Sequence, residues 1–258
     1  MRLRLVGGRV SSTQLRALID VAETHADGHV HVTARANLQV RGFRSSRGGL
    51  HPDALTALES TGLLPARTHE LVRNIMVSPQ TGLSGGRADL RAVAAELDRL
   101  LCADQRLAEL PGRFLFVLDD GRGDLRDRSC DLGLVVLDDE VAQLRVGDGW
   151  GPVVQLAGAP GRIIDLAHEF LRVRGEGPTA RWHVVELDRA LVEPSLEDPR
   201  LPRATGPLPY GAVAGGQHVP VASGGLDRGD VEDLICHSSE VVVTPWRGVL
   251  VPQEVPHG

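Results

Sequence analysis

Apolar and polar residues alternate from His29 to Val40. Val30, Val32, Ala34, Ala36, Leu38 and Val40 fall on one face of an extended chain, and His31, Thr33, Arg35, Asn37 and Gln39 on the other. The spacing predicts a strand with an unusually polar second face. Upstream, Arg2 to Val6 alternates in the same way until Gly7-Gly8 breaks it, and Leu15, Leu18, Ile19 and Ala22 then follow the three-four spacing of a helix that Ser11 or Ser12 can cap. Asp27-Gly28 stops that helix. A second helix is predicted over about Pro52 to Thr61, with Leu55 and Leu58 on its buried side and Gly62 at its end.

Strand, helix, strand, helix is half of a ferredoxin-like α+β sandwich. Further along, Val72 to Ser78 reads as a strand and Ala88 to Leu110 as one long amphipathic helix. Arg113 to Leu118, Leu132 to Leu137, Val141 to Val146 and Val153 to Leu156 read as strands parted by Asp/Gly turns. Helices are predicted over Gly161 to Val173 and around Trp182 to Leu191. Residues 193–225 are rich in Pro and Gly and are predicted to be a connector laid over the surface. After it, Leu226 to Ile235 carries a short helix signal, and Glu240 to Val251 repeats His29 to Val40, with Thr33 over Thr244 and Val40 over Val251.

The predicted organisation is therefore α+β: a ferredoxin-like half-domain at 1–69, a separate α+β domain at 70–192, the connector, and a second half-domain at 226–258. The two halves are expected to pair into one pseudo-symmetric domain, because half a sandwich exposes an apolar face that only its partner can bury.

The 258 residues contain 28 basic side chains against 34 acidic ones, a net charge of −6, which disfavours a nucleic-acid or acidic-membrane partner. Aromatic residues are only 3%, leaving little material for stacking on bases. No residue is lysine, so every basic side chain other than histidine is an arginine, permanently charged and shaped to grip carboxylates. Cys102, Cys130 and Cys236 have no spacing suited to zinc or a disulfide framework. The first residues lack a signal-peptide core and no run of 18 apolar residues occurs, so a soluble, cytoplasmic protein is expected.

Four arginine-bearing pieces stand out: Arg2-Leu-Arg4, Thr33-Ala-Arg35-Ala-Asn37-Leu-Gln39, Arg73-Asn74-Ile75 and Thr244-Pro-Trp-Arg247. On a straight strand Arg35, Asn37 and Gln39 would form one row of polar heads. Arginines converging from several strands suit a polycarboxylate ligand; a solvated sheet face with scattered ion pairs is the alternative. His29 and His31 would share a face, yet no carboxylate sits at a facial-triad spacing beside them, and no metal ligand is assigned.

These pieces, together with Leu110-Pro-Gly-Arg-Phe114, occur in an order and spacing that resembles the nitrite and sulfite reductase haemoproteins, and within them most the precorrin-3B synthases of cobalamin biosynthesis. The resemblance implies that Arg35, Asn37, Gln39, Asn74 and Arg247 hold the carboxylates of a tetrapyrrole, a precorrin substrate or sirohaem. It also implies that Arg4, Arg73 and Arg113 face the reacting side. Two lysines that supply protons in the reductases are replaced here by Arg113 and Leu115, so six-electron reduction of sulfite or nitrite is not expected. The family's 4Fe–4S cluster needs four thiolates, and the three scattered cysteines do not supply them.

Three alternatives follow from that shortage: a separate cluster-bearing chain, tetrapyrrole binding without the full reaction, or a fragment. The leading expectation is a precorrin-3B synthase-like oxidoreductase catalysing oxygen-dependent hydroxylation and lactone formation on precorrin-3A. The others are a non-catalytic tetrapyrrole binding or carrier protein, and a plain α+β domain with arginines as surface decoration.

Overall fold

The hydroxyl of Ser11 accepts from the Gln14 backbone N–H while the Gln14 side chain returns to the Ser11 N–H, and this capping box starts the first helix where the sequence places it. The computed structural model describes residues 1–46 and 49–253. In chain order the elements are β1 (Arg2–Leu3), a 3-10 turn (Val6–Gly8), β2 (Arg9–Ser11), α1 (Ser12–His25), β3 (His31–Val32), β4 (Leu38–Gln39), β5 (Ser45–Ser46), β6 (Gly49–Leu50) and α2 (Pro52–Ser60). There follow β7 (Ile75–Val77), α3 (Arg91–Ala103), β8 (Phe116–Asp119), β9 (Leu132–Val136), β10 (Val141–Val146), β11 (Gly149–Gln155) and α4 (Ala159–Val173). The last are β12 (Gly211–Val213), β13 (Gly216–Pro220), α5 (Arg228–Ile235), β14 (Glu240–Val243) and β15 (Gly248–Pro252). Among the described residues no helix is long and apolar enough to cross a membrane.

The chain divides into two units, Met1–Arg67 with Leu208–Gly258, and Thr68–Pro207. In the first, β1-β4-β3 form one sheet and β12-β13-β15-β14-β2 another. The two chain segments share one core: Leu3, Leu18, Ile19, Val30 and Leu38 pack in the same cluster as Leu226, Val231, Ile235, Val241 and Val249.

The predicted twelve-residue strands at 29–40 and 240–251 are hairpins instead. Thr33 N–H donates to the Asn37 carbonyl at 2.9 Å, and Thr244 N–H to the Gly248 carbonyl at 2.9 Å, so the two turns close identically. At the same position of each turn the backbone is left-handed, φ 54° at Ala36 and 60° at Arg247. The Thr33 hydroxyl oxygen accepts from the N–H groups of Arg35 and Asn37 at 3.3 and 3.2 Å, which holds the first turn. Period-two alternation runs through both turns unbroken, and for that reason the pattern alone reads as a straight strand.

In the second unit the sheet order is β11-β10-β9-β8-β7, with β7, β8 and β9 parallel and the rest antiparallel. Phe114 stacks against Phe116 and Phe170, ring centroids 5.3 and 4.8 Å apart, in its core. The long helix ends early, at Ala103, because the Asp104 side chain accepts from Arg106 N–H and starts a 3-10 turn. The helix expected near residues 182–191 is one 3-10 turn, Val184–Glu186, pinned by Val184 N–H to the buried Asp131 carboxylate at 2.9 Å.

The connector is not a loose connector. Its first part is strapped to the second unit: the Gln143 amide donates to the Leu196 carbonyl at 2.8 Å and accepts from Asp198 N–H at 2.9 Å, and Thr205 N–H reaches the Gly123 carbonyl at 3.0 Å. Its last part supplies β12 and β13, which Gly and a terminal Pro permit near a sheet edge.

One half-buried carboxyl in the second unit gives a pH prediction. Asp124 accepts the Ser78 hydroxyl at 2.7 Å, and burial, reinforced by the nearby Asp119 charge, pushes it up to about 7. A carboxyl raised in the folded state favours the protonated protein, so its contribution is full below the ordinary carboxyl range and is lost as pH rises to about 7. Asp124→Asn, which keeps an acceptor for Ser78, is expected to stabilise the protein at pH 8 by on the order of 3 kcal/mol and to change it little at pH 4. Urea midpoints at the two pH values check this; equal shifts at both would show that the buried charge has no such role.

Candidate anion-binding site

β1 and β4 pair so that Arg2 lies opposite Gln39, and β3 and β4 so that His31 lies opposite the same Gln39. Cross-strand partners share a face of the sheet. Next to this row, Thr33, Arg35, Gln39, Arg41, Arg2 and Arg247, with Val32 and Ala34, line a cavity of about 290 Å³. The cavity lies wholly within the first unit, and it draws its cations from β1, the β3–β4 turn, the residue just past β4 and the β14–β15 turn.

Most arginines with described partners are neutralised: Arg16 pairs with Glu232, Arg122 with Asp120, and Arg228 with Asp20 and Glu23. Among the described residues Arg2, Arg41 and Arg247 form no ion pair, and the Arg41 guanidinium reaches only the Gln39 side-chain oxygen at 3.4 Å. Like charges gathered without counter-charges repel one another. Arg247 adds backbone strain, since a side chain in the left-handed region costs about 1–2 kcal/mol where glycine costs nothing. Convergent unpaired guanidinia on a strained turn are what a bound polyanion would repay.

Asn37, in the same turn as Arg35, is buried. Its side-chain oxygen accepts from Leu5 N–H at 2.9 Å, whereas its Nδ2 has no partner among the described residues. Asn37 thus ties the strand leading from β1 to the hairpin and leaves one donor unused.

The expected site residues separate into two groups. Arg35, Gln39 and Arg247 come together at the cavity, and Asn37 is buried outside its lining. Arg4, expected on the reacting side, is buried and does not line the cavity; Arg2, two residues earlier, does. Arg73 and Asn74 belong to the second unit. The Arg73 guanidinium is enclosed by Asp98, at 2.7 and 3.1 Å, and Glu70, at 3.0 Å, pairs that hold its pKa raised even against burial. The Asn74 amide is spent on the carbonyls of Leu71, Gly112 and Phe114, bracing the chain before β8. Arg113 is exposed in the turn before β8, and Leu115 is buried in that unit's core.

Sequence reasoning named Arg2 within the Arg2-Leu-Arg4 piece without giving it a role, and passed over Arg41. Arg41 had a signal, because it continues the row Arg35, Asn37, Gln39 by two more residues. That Arg2 rather than Arg4 lines the cavity follows from the β1–β4 register.

Residues 1–47 match the family described as nitrite/sulfite reductase ferredoxin-like half domain. The chain is also 30% identical over 121 residues to the ferredoxin–nitrite reductase of Leptolyngbya laminosa, covering 44% of this chain and 23% of that protein. It is 34% identical over 128 residues to the ferredoxin–nitrite reductase of Synechococcus elongatus, covering 47% and 24%. The chain spans about a quarter of the length of these curated relatives. The solved structure of the Mycobacterium tuberculosis NirA protein superposes on 99% of this chain and 54% of its own, with a TM-score of 0.70 at 18% identity, so the two share a fold.

The arginine-lined cavity has the chemistry to hold an acidic ligand. The residues present do not fit an iron–sulfur cluster. Among the described residues no group of three or more metal-binding side chains converges, and Cys130 is fully buried with its thiol pushed up to about 12 by desolvation.

Proposed function

We propose that the first unit binds a tetrapyrrole polycarboxylate, a precorrin or sirohaem, by gripping its peripheral carboxylates with Arg2, Arg35, Gln39, Arg41 and Arg247. The carrying observation is the set of guanidinia lining one cavity of the reductase-type half-domain, three of them without ion pairs. A tetrapyrrole bound there would supply the oxidisable ring, or with iron the redox centre; the chain's own residues bind it, orient it and neutralise its acids. Within this class the precorrin-3B synthase type is the finer proposal, oxygen-dependent hydroxylation and lactone formation on precorrin-3A, supported by Arg113 and Leu115 where a sulfite or nitrite reductase would need proton-donating lysines. A non-catalytic carrier is the second reading, favoured by the closure of Arg73 between Asp98 and Glu70.

Arg35→Ala is expected to weaken binding of uroporphyrin, an octacarboxylate probe, by roughly 1.5–3 kcal/mol, the scale of a hydrogen bond to a charged group. Arg44→Ala, exposed and outside the cavity lining, is expected to change it by less than about 0.5 kcal/mol. Absorbance titration measures both, and equal losses would reduce the site to diffuse charge. Aerobic incubation with precorrin-3A and an electron donor separates the two functional readings: an oxygenated product supports the synthase, and tight binding of unaltered ligand the carrier.

A further inference from the structure

Arg41, Arg247 and Val32 are shared between the cavity just described and a second one of about 290 Å³, whose remaining wall is His31, Val221, Ala222 and Ser223. It too lies within the first unit. The segment carrying Ser223 is fastened at both ends of this wall. Val221 N–H donates to the Arg247 carbonyl at 3.0 Å, and Gly225 N–H to the Ala222 carbonyl at 3.0 Å, which folds the turn onto the His31 ring. A Cβ on Gly225 would stand 2.8 Å from His31 Nδ1, so only glycine allows this approach. Asp27, the acidic side chain that reaches His31, is committed to it, with Nε2 to Oδ2 at 3.0 Å. Although burial works to raise the Asp27 carboxyl, hydrogen bonds from the His31 side chain and the His29 backbone N–H hold it below its usual range.

The second lobe therefore presents two guanidinia without ion pairs among the described residues and a hydroxyl, on a wall where Asp27 already serves His31. Walls of one charge around a recess concentrate anions within it. We propose that this lobe is a second anion subsite, taking one carboxylate, phosphate or similar oxyanion, with Arg41 and Arg247 as the partition between it and the first lobe and Ser223 as a hydrogen-bond donor. Two sources share that chemistry: another carboxylate of the tetrapyrrole held in the first lobe, or a separate small oxyanion. The proposal rests on the tetrapyrrole reading only for the first of these sources.

The test is calorimetric titration of the full chain with inorganic phosphate, alone and in the presence of uroporphyrin. Arg41→Gln is expected to weaken phosphate binding at least tenfold and Ser223→Ala at least fivefold, whereas Arg35→Ala and Gln39→Ala, which line only the first lobe, change it less than twofold. Arg41 and Ser223 are both exposed, so melting temperatures should stay at the parent value. If phosphate and uroporphyrin compete, the lobe takes a carboxylate of the tetrapyrrole; if they bind together, it takes a separate oxyanion. Phosphate binding with no uroporphyrin binding would keep the second subsite and sink the tetrapyrrole reading. No saturable phosphate binding up to about 10 mM, or equal losses in all four variants, would overturn the subsite.

Discussion

Removing residues 226–258 is expected to abolish the cooperative melting of the first unit and to expose dye-binding apolar surface, while the transition of the second unit persists. The deletion takes away α5, β14 and β15, and with them Val231, Leu234, Ile235, Val241, Val243 and Val249 from the shared core. At about 1.5–3 kcal/mol for each buried side chain, those six contribute about 9 kcal/mol or more, which rivals the whole stability of an ordinary domain. The loss of β14 and β15 also leaves β2 without a sheet neighbour and β13 with β12 alone. Differential scanning calorimetry with a hydrophobic dye checks this. A soluble remainder that still shows both transitions would mean the halves fold independently, and the shared core would lose its meaning.

Gly8→Ala is expected to destabilise the protein by about 2–5 kcal/mol and to weaken uroporphyrin binding with it. Gly8 has φ +75°, and a Cβ there would lie 2.1 Å from the Val243 carbonyl oxygen and 3.4 Å from the Ala36 Cβ. The left-handed backbone accounts for about 1–2 kcal/mol, and displacing a packed carbonyl for about 1–3 more. Val243 enters the turn that carries Arg247, and Ala36 lies beside Arg35, so the same methyl disturbs both arginine hairpins. Gly28→Ala is the control: its φ is +80° and nothing lies within 4 Å of the added Cβ, so only the backbone strain remains. Guanidinium melts of the two variants compare the effects. Equal destabilisation would show that Gly8 matters for its conformation alone and not for the approach of the two turns.

The similar turns at Thr33 and Thr244 show how far a repeat in the sequence reaches into three dimensions. The repeat pairs Ala36 with Arg247, and both residues are left-handed at φ 54° and 60°. One turn thus carries its arginine one residue before the strained position and the other at that position, and both guanidinia line the same cavity. The expectation of two long strands was mistaken about the local path, because alternation survives a hairpin whose turn keeps the period. It was right about which segments correspond.

Local chemistry in the sequence determined where α1 starts and which way it faces. Ser11 with Gln14 set its start, the apolar spacing set its buried side, and a chain with arginine but no lysine carries only fixed positive charges apart from its histidines. Such features depend on neighbours a few residues away, and a sequence displays those directly. Which arginines line one cavity was decided only by the tertiary structure. Arg2 enters the cavity through its register with Gln39, and Arg41 through its place two residues past that strand. Around Arg73, in the second unit, Asp98, 25 residues away, and Glu70 close on the guanidinium. A guanidinium's role depends on whether its counter-charge comes from the protein or from a ligand, and that is settled by contacts between segments far apart in the chain.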